Sequence, residues 1–385
     1  MKREDFQASA TGSLVPTERG QWAFVPIPLP PAQLDHGRLS RALSEAAEAV
    51  GELNGIGRTI PNPYLLVRPL LRREVISSSS MEGTFTTVDA LVLAEASDGG
   101  SSTPDTREVL NYMEALSVAI ASLETIPLSL RTLRDAHATL LRQVRRDRGA
   151  TVRPGEFKQH QNYIGAYEIE KARFIPPPPR EALECLHALE SYMHRDDDGL
   201  DTLIDAALIH YQFETIHPFA DGNGRVGRML IILHLYMRRK LIQPLLYLSP
   251  VFEARKDEYI DRMMAVSRDG DWEGWILFFL NVMRDSARQA IVLADRIGTL
   301  QKDYRERLQK ARNSANLLLA VDYLFERPAV SVTAVMNRLG VSYPAAKANV
   351  DVLIRENILI EVAGTSNPKL FLAPDIMKII SGSTD

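Results

Sequence analysis

The sequence predicts a mainly α-helical protein: a helical bundle carrying one small β-hairpin, followed by a C-terminal winged helix-turn-helix unit. Three observations predict it. Apolar residues recur at helical spacing over most of the chain from Leu39 to the neighbourhood of Arg307. A single stretch, Phe157 to Ile175, changes character and is stopped by Pro176 to Pro179. Near Asn313 the composition shifts, and the residues beyond it read as helices followed by two short strands. On these grounds the chain divides into an N-terminal extension (1–105), a main helical domain (106–312) and a C-terminal domain (313–385).

The elements follow in order. Phe24 to Ala32 (FVPIPLPPA) is too rich in proline for a helix and is expected as an extended strap over a surface. Leu39 to Leu53 has an apolar stripe with small alanines. Asn62-Pro63 offers an N-cap and a first-turn proline for a second helix running to about Met81. Pro69 lies inside that pattern and calls for a kink or a later start. Gly83 is a natural C-cap, which leaves Glu82 at the wrong end of the helix dipole and in need of a cation or solvent. Gly99 to Asp105 is a polar loop, and Arg107 to Leu123 and Ser129 to Val144 are expected as bundle helices. Asn162 to Tyr167 and Ala172 to Ile175 flank a turn and suit the hairpin. Asp201 to Phe213 has helical spacing, with Leu203, Ala207, His210 and Tyr211 able to share a face. Phe252 to Val266 and Trp272 to Ala290 continue the pattern, Trp275, Phe278 and Phe279 being core rather than ligand box.

Composition excludes several classes. The chain has 385 residues, 45% of them hydrophobic and 24% charged, enough for one large core or two or three smaller ones. Its formal net charge of -4 gives no global attraction to nucleic acid, so any such binding must come from a local patch. One cysteine, Cys185, cannot form an internal disulfide and reads as a filler in a reducing compartment. Met1 to Gly20 lacks the apolar core of a signal peptide, and no later stretch is long enough to span a bilayer. A cytoplasmic location with no membrane partner is expected.

The densest chemistry is in His217 to Arg228, HPFADGNGRVGR. Gly222, Asn223 and Gly224 can turn the chain sharply and bring bare N–H groups against an anion. A helix starting there would add unpaired N–H groups and its positive dipole end. Arg225 and Arg228 stand three apart and would share a helical face, able to grip successive phosphates. His217 is a usable general base just before the turn, and Asp221 is a hard-oxygen ligand for a magnesium ion shared with the phosphates. Gly222-x-Gly224-x-x-Gly227 also fits a dinucleotide fingerprint, but that motif follows a strand and this one follows a helical pattern. A zinc site from His210, His217, Asp221 and His234 lacks the short histidine spacing such sites use.

The string resembles the signature of the Fic family, HxFx(D/E)GNGRxxR, at every specified position. The resemblance extends to His210-Tyr-Gln-Phe-Glu-Thr-Ile before it, and to Pro244 to Ser249 and Gly270-Asp-Trp-Glu-Gly-Trp after it. It implies an all-helical domain that transfers AMP from ATP to a protein hydroxyl, on serine, threonine or tyrosine, with pyrophosphate leaving. By that resemblance His217 deprotonates the hydroxyl and Asp221 holds Mg2+. Gly222 to Gly224 form the anion hole, Arg225 holds the β-phosphate and Arg228 the γ-phosphate, with Val226 and Gly227 completing the nucleotide-binding set. Relatives that phosphorylate their targets carry a lysine where Gly224 stands. The hairpin would be the family's flap, whose edge, Tyr163, Ile164, Gly165 and Ala166, holds the target by strand-like pairing. Tyr259 and Arg268 would border the adenine. Ser78-x-x-x-Glu82-Gly83 resembles the inhibitory motif (S/T)xxxE(G/N): Glu82 would pair with Arg228 in the space of the γ-phosphate, and Ser78 would orient Glu82. Self-modification follows as an expectation, and AMP removal by the same site stays open.

Beyond Asn313 the expected elements are helices Leu317 to Phe325, Ala334 to Leu339 and Ser342 to Asn357, then strands Ile358 to Val362 and Lys369 to Leu372 around Gly364 to Pro368. Lys347 and Arg355 on the last helix resemble a DNA-reading face. A winged helix serves equally as a protein-contact or homodimer module. A second class of function therefore stands beside the enzyme: a DNA-binding transcriptional regulator with a nucleotide-sensing domain. The intact base and both arginines favour the enzyme, because a sensor needs phosphate ligands but no base.

Overall fold

The computed structural model describes residues 1–6, 10–60, 62–97, 102–143, 153–196, 199–310, 315–365 and 368–382. The main body is helical. Its helices are α1 (His36–Thr59), α2 (Tyr64–Met81), α3 (Val88–Ala96), α4 (Pro104–Ser122), α5 (Leu130–Leu140), α6 (Pro179–Met193), α7 (Thr202–Ile216), α8 (Asn223–Met237), α9 (Ser249–Ala254), α10 (Lys256–Asp269) and α11 (Trp272–Lys310). The two helical segments expected at 272–290 and on to 307 are one helix, 39 residues in length. At 1.5 Å per residue α11 runs roughly 58 Å, and α1 packs along it through Arg284 Nη1 and Glu45 Oε2 at 2.8 Å.

The centre is α7, buried on every side, with apolar residues Leu203, Ile204, Leu208, Ile209, Phe213 and Ile216 all inaccessible. A helix covered on all faces has no polar stripe, which is why its sequence shows little contrast around the wheel. Asp201 caps it by accepting from the Leu203 N–H at 2.8 Å. α8 and α11 pack directly on it, and Trp275 donates its indole N–H to the Ala207 carbonyl at 2.9 Å.

Several expectations need correction. α2 starts at Tyr64 and runs through Pro69 without a break, so the later start does not occur. The helix expected over 252–266 is two helices, α9 and α10, meeting at Arg255. The end of the expected helix at Val144 and the start of the loop at Gly99 lie outside the described residues, as does the Asn313 boundary. Only Ile164 and Phe174 pair in the hairpin region, through Ile164 N to Phe174 O at 2.9 Å and Arg173 N to Ile164 O at 2.9 Å. Gly165 turns into a left-handed conformation (φ 83°) right after that bridge, and a short 3-10 turn, Ile169–Lys171, fills the connection, so regular strands cannot extend.

The N-terminal part of the strap is a strand. β1 (Gly12–Pro16) and β2 (Trp22–Pro26) form an antiparallel hairpin, with Gly12 opposite Pro26. It docks under the flap: Phe24 N donates to Ile175 O at 2.9 Å, and Phe6, Phe24 and Phe174 form an aromatic triangle with centroids 5.7 to 6.2 Å apart. The signal was present in two short runs, Leu14-Val15 and Ala23-Phe24-Val25, separated by a Gly20 turn (φ 78°).

The C-terminal residues form α12 (Ala315–Glu326), β3 (Ala329–Ser331), α13 (Val332–Leu339), α14 (Tyr343–Arg355), β4 (Ile360–Glu361), β5 (Leu370–Leu372) and α15 (Pro374–Ser381). The strands make an antiparallel sheet in the order β3-β5-β4. This unit is seated on α2 and α3, continuous with the main core. Arg72 of α2, fully buried, pairs with Glu95 of α3 at 2.7 Å and donates to the Glu326 carbonyl of α12 at 2.6 Å. Arg72→Met is expected to destabilise the protein by about 3 kcal/mol, because it strands a mostly buried carboxylate and a helix-end carbonyl together. Equilibrium denaturant unfolding measures it; a loss under about 1 kcal/mol would show that α2 and the C-terminal unit are only loosely joined.

Candidate active site

The string from His217 to Arg228 joins α7 to α8 and is shaped by its own side chains. His217 ends α7 in a left-handed conformation (φ 48°), its N–H still donating to Phe213 O at 3.0 Å. Gly222 (φ 78°) turns the chain into α8. Between them Asn223 accepts from Phe219 N at 2.7 Å and donates to Phe219 O at 2.8 Å. The Asn223 side chain is therefore spent on building the loop. Phe219 is buried and stacks on the ring of His137 at 3.9 Å.

His137, on α5, is a support that sequence reasoning missed. Its Nδ1 accepts from Gly155 N at 2.8 Å, so Nε2 carries the proton and donates to Asp221 O at 3.0 Å. Burial holds its pKa down to about 4, which keeps that neutral tautomer at pH 7.

His217 faces a cavity of about 280 Å3, whose walls include Glu82, Ile164, Glu214, Gly224, Arg228 and Tyr259. The ring's Nδ1 lies 3.2 Å from the Glu214 carbonyl, which suits an Nδ1–H donor and leaves Nε2 as the basic nitrogen. Burial, then the charge of Lys158, lower its pKa to about 4, so the imidazole is neutral across the physiological range. Glu214 also lines the cavity. Burial pushes its carboxyl up to about 8 against the pull of Arg228, and its Oε1, set against Gly227, has no partner among the described residues.

Arg228 is held from three directions. Its Nε donates to Ser78 Oγ at 2.7 Å, and its Nη2 donates to Ser78 O at 2.8 Å and to Glu82 Oε1 at 2.8 Å. Ser78 thus orients the arginine, accepting from it through both oxygens, and the expected contact from Ser78 to Glu82 is not formed. Glu82 is the C-cap of α2, with Gly83 N donating to Ser80 O and Thr84 N to Ser79 O, both at 3.0 Å, a Schellman ending with Gly83 left-handed (φ 79°). Burial would raise the Glu82 pKa, but the Arg228 charge and hydrogen bond outweigh it and hold the carboxyl below its ordinary value. A Cβ at Gly224 would stand 2.1 Å from Glu82 Oε1, so glycine there is what admits the carboxylate.

Other expected residues are placed differently. Arg225 does not share a cavity face with Arg228: it is fully buried against Glu108 of α4, with Asp221 Oδ1 3.9 Å away. Its Nε and Nη2 have no hydrogen-bond partner among the described residues. Val226 is in the core, and Gly227 contributes its carbonyl to His210 Nδ1 at 3.0 Å. Tyr259 does line the cavity, its hydroxyl 2.9 Å from His210 Nε2. Arg268 points outward and pairs with Asp269, so it does not border the cavity. Of the four flap residues expected at the edge, Ile164 alone lines the cavity; Tyr163 donates to Tyr167 O at 2.9 Å, and Gly165 and Ala166 lie beyond. Met263, Met264 and Ile260 of α10 and Phe174 supply an apolar wall that the sequence did not reveal. Asp221 accepts from Gly222 N at 2.6 Å through Oδ1, and no group of three metal-binding side chains forms among the described residues.

Residues 40–121 match the Fic/DOC family N-terminal model, and residues 127–235 match the Fic/DOC family model. The chain is a member of the Fic/DOC family. It is 28% identical to "Protein adenylyltransferase Fic" of Drosophila melanogaster over 206 residues, 51% of this chain and 38% of that protein. To the Drosophila virilis protein of the same name it is 30% identical over 134 residues, 34% of this chain and 25% of that one. The chain thus spans well under half the length of these curated Fic relatives. In fold it is similar to a Fic family protein from Desulfovibrio desulfuricans, with TM-score 0.57 at 19% identity, covering 90% of this chain and 98% of the other. A Fic domain-containing signaling protein from Bacteroides thetaiotaomicron has TM-score 0.52 at 19% identity, covering 67% and 97%. The two family segments take in α2, which carries Glu82, and α7 and α8, which carry the Fic string. No helix of the described residues is long and apolar enough to cross a membrane.

Proposed function

We propose that this protein is a self-inhibited adenylyltransferase: it transfers AMP from ATP to a serine, threonine or tyrosine hydroxyl of a protein target, itself included. The observation that carries the reading is one cavity holding a neutral base, His217, and a cation, Arg228, already matched to a carboxylate. His217 Nε2 takes the hydroxyl proton as the oxygen attacks the α-phosphorus; the bond from that phosphorus to the bridging oxygen breaks and pyrophosphate leaves. The N–H groups opening α8 face the phosphates, Arg228 takes the γ-phosphate once Glu82 is displaced, and the apolar α10 wall receives the base. For Mg2+ the donor set fits a single protein ligand: Asp221 keeps a partly exposed carboxylate, and phosphates and water complete such sites, where the ion offsets charge on the leaving group. Arg225 is then a buried strut to Glu108, with Asp221 Oδ1 3.9 Å from its Nη2. The flap exposes Tyr167 fully beside the Ile164 bridge, a suitable contact for a target chain. A reducing cytoplasm suits Cys185, whose thiol burial pushes up to about 11. Incubation with labelled ATP and a cell extract tests the reading; absence of any labelled protein, with the Glu82→Gly variant included, would overturn it.

The C-terminal unit, a winged helix in element order, we read as a protein-contact module rather than a DNA reader. Lys347 on α14 is spent on Asp351 at 2.9 Å, Lys369 on Glu361 at 2.7 Å, and Arg355 reaches back to its own helix at Asp351 O. Few cations remain to release counterions from a duplex. The full chain is expected to show no salt-dependent binding to duplex DNA by fluorescence anisotropy; a steep decline of affinity with salt would restore the regulator reading.

A further inference from the structure

The chain passes from α7 into the active-site loop through four successive carbonyls, and Lys158 and Asn162 hold all four. Lys158 N donates to Pro218 O at 2.8 Å, and Lys158 Nζ donates to Ile216 O at 3.1 Å. Asn162 Nδ2 donates to His217 O at 2.9 Å and to Phe219 O at 3.0 Å. The two side chains also join each other, Lys158 Nζ to Asn162 Oδ1 at 2.8 Å. That contact fixes the amide: its oxygen must face the ammonium and its nitrogen the carbonyls.

The clamp answers two local needs. The last carbonyls of a helix lack intrahelical partners, and a lysine at that end meets both the carbonyl and the negative dipole. A left-handed backbone at a residue with a side chain costs of order 1–3 kcal/mol and persists only where the surroundings over-determine it. His217 is such a residue, and its own carbonyl is one of the four. Lys158 has 6% of its surface exposed and no carboxylate in contact among the described residues, so its burial is costly and is offset only through these bonds. Asn162 stands two positions before Ile164, the bridge residue of the flap. The residue that grips the His217 peptide and the residue that would meet a target are therefore on one short stretch.

We propose that Lys158 and Asn162 are positioning residues for AMP transfer, a clamp that sets the direction of the His217 ring and ties it to the flap. The inference rests on the adenylyltransferase reading. Neither side chain reaches the nucleotide-facing wall, so the clamp acts on the attack and leaves ATP binding alone.

The test uses the full chain carrying Glu82→Gly, in which the rate constant for self-labelling at saturating ATP and the ATP half-saturation are both measured. Adding Asn162→Ala is expected to lower the rate constant on the order of tenfold to a hundredfold, with half-saturation unchanged within twofold. Lys158→Met should do likewise, and Lys158→Arg, which keeps donors toward Ile216 O, should recover part of the loss. A second readout follows the His217 ring by NMR in the otherwise native protein. The charged groups that act on it are Lys158, Glu82 and Asp221, and the group at its Nδ1 is the Glu214 backbone carbonyl. Removing the lysine cation in Lys158→Met should move the His217 titration upward from about 4. Rates within twofold of the parent and an unmoved titration would overturn the clamp. So would a rate loss that comes with equal losses in ATP half-saturation and melting temperature, since that is a general weakening of the fold. If the Glu82→Gly parent labels nothing, the functional reading falls, and the NMR titration still decides the clamp.

Discussion

Glu82→Gly is expected to raise AMP transfer, including transfer to the protein itself, on the order of a hundredfold. With Glu82 in place its carboxylate sits 2.8 Å from Arg228 Nη2 and fills the notch left by the missing side chain of Gly224. Under the proposed function a γ-phosphate could not share that space, so ATP would enter with its tail displaced and its α-phosphorus out of line. Misalignment of about 1 Å is enough for an effect of the stated size. Arg228 is expected to stay in place when Glu82 is lost, because the Ser78 contacts do not depend on Glu82. Ser78 Oγ and O still hold its Nε and Nη2, so the cation is uncovered in place and is already oriented for a phosphate. The double variant Glu82→Gly with Arg228→Ala should therefore lose most of the gain. Self-labelling of wild type, single and double variants at matched Mg2+ and ATP decides it; equal rates for wild type and Glu82→Gly would mean that the ion pair is structural only. The sign of the pH effect is also set. The Glu82 carboxyl is held below its ordinary value, so its pairing with Arg228 stabilises the fold at all pH above the ordinary carboxylate range and weakens as pH falls through the depressed pKa.

His217→Ala, placed on the Glu82→Gly background, is expected to abolish labelling, a loss of about a hundredfold to ten-thousandfold, while ATP binding is retained. The ring contributes no phosphate ligand, and the contacts that shape the anion turn come from Asn223, His137 and Gly222. With the His217 pKa depressed to about 4, the acid limb of the rate profile should lie near that pH instead of near 6.5, the rate staying flat through the neutral range. Calorimetric ATP binding and labelling of the same preparation separate the two effects. Retained labelling would remove His217 from its role, and an acid limb at 6.5 would mean that the ring is solvated during turnover.

Local sequence made the base, the turn and the start of α8 legible, because left-handed glycines, helix periodicity and residue chemistry are properties of neighbours. The pairing of Glu82 with Arg228 came from the resemblance, and the geometry agrees with it. What local spacing could not supply was pairing across the chain. Arg225 and Arg228 are equivalent by spacing, yet one turns to Glu108, 117 positions away, and the other to Ser78 and Glu82. Ser78 was assigned the wrong partner for the same reason. Arg268 was misplaced because resemblance located the region bordering the cavity but not the facing side of α10, where Ser267 and Met264 point inward. The N-terminal hairpin hid behind prolines that end its strands without preventing them. Lys158, Asn162 and His137 carried no motif; they are polar residues whose meaning lies in the carbonyls they meet.

The helix that brings Ser78 and Glu82 to the cavity is anchored at Arg72, under the C-terminal unit, and stopped by a glycine one residue past Glu82. Between these fixed points it is a measured length. Side chains along it can be exchanged at modest cost, but removing or adding one residue between Arg72 and Ser78 would rotate the inhibitory end by about 100° and move it by about 1.5 Å. Ser78 and Glu82 would then face the core or solvent, whatever their identity. Under the proposed self-inhibition, the off state would be specified by spacing as well as by charge, and this segment should tolerate substitution far better than insertion or deletion.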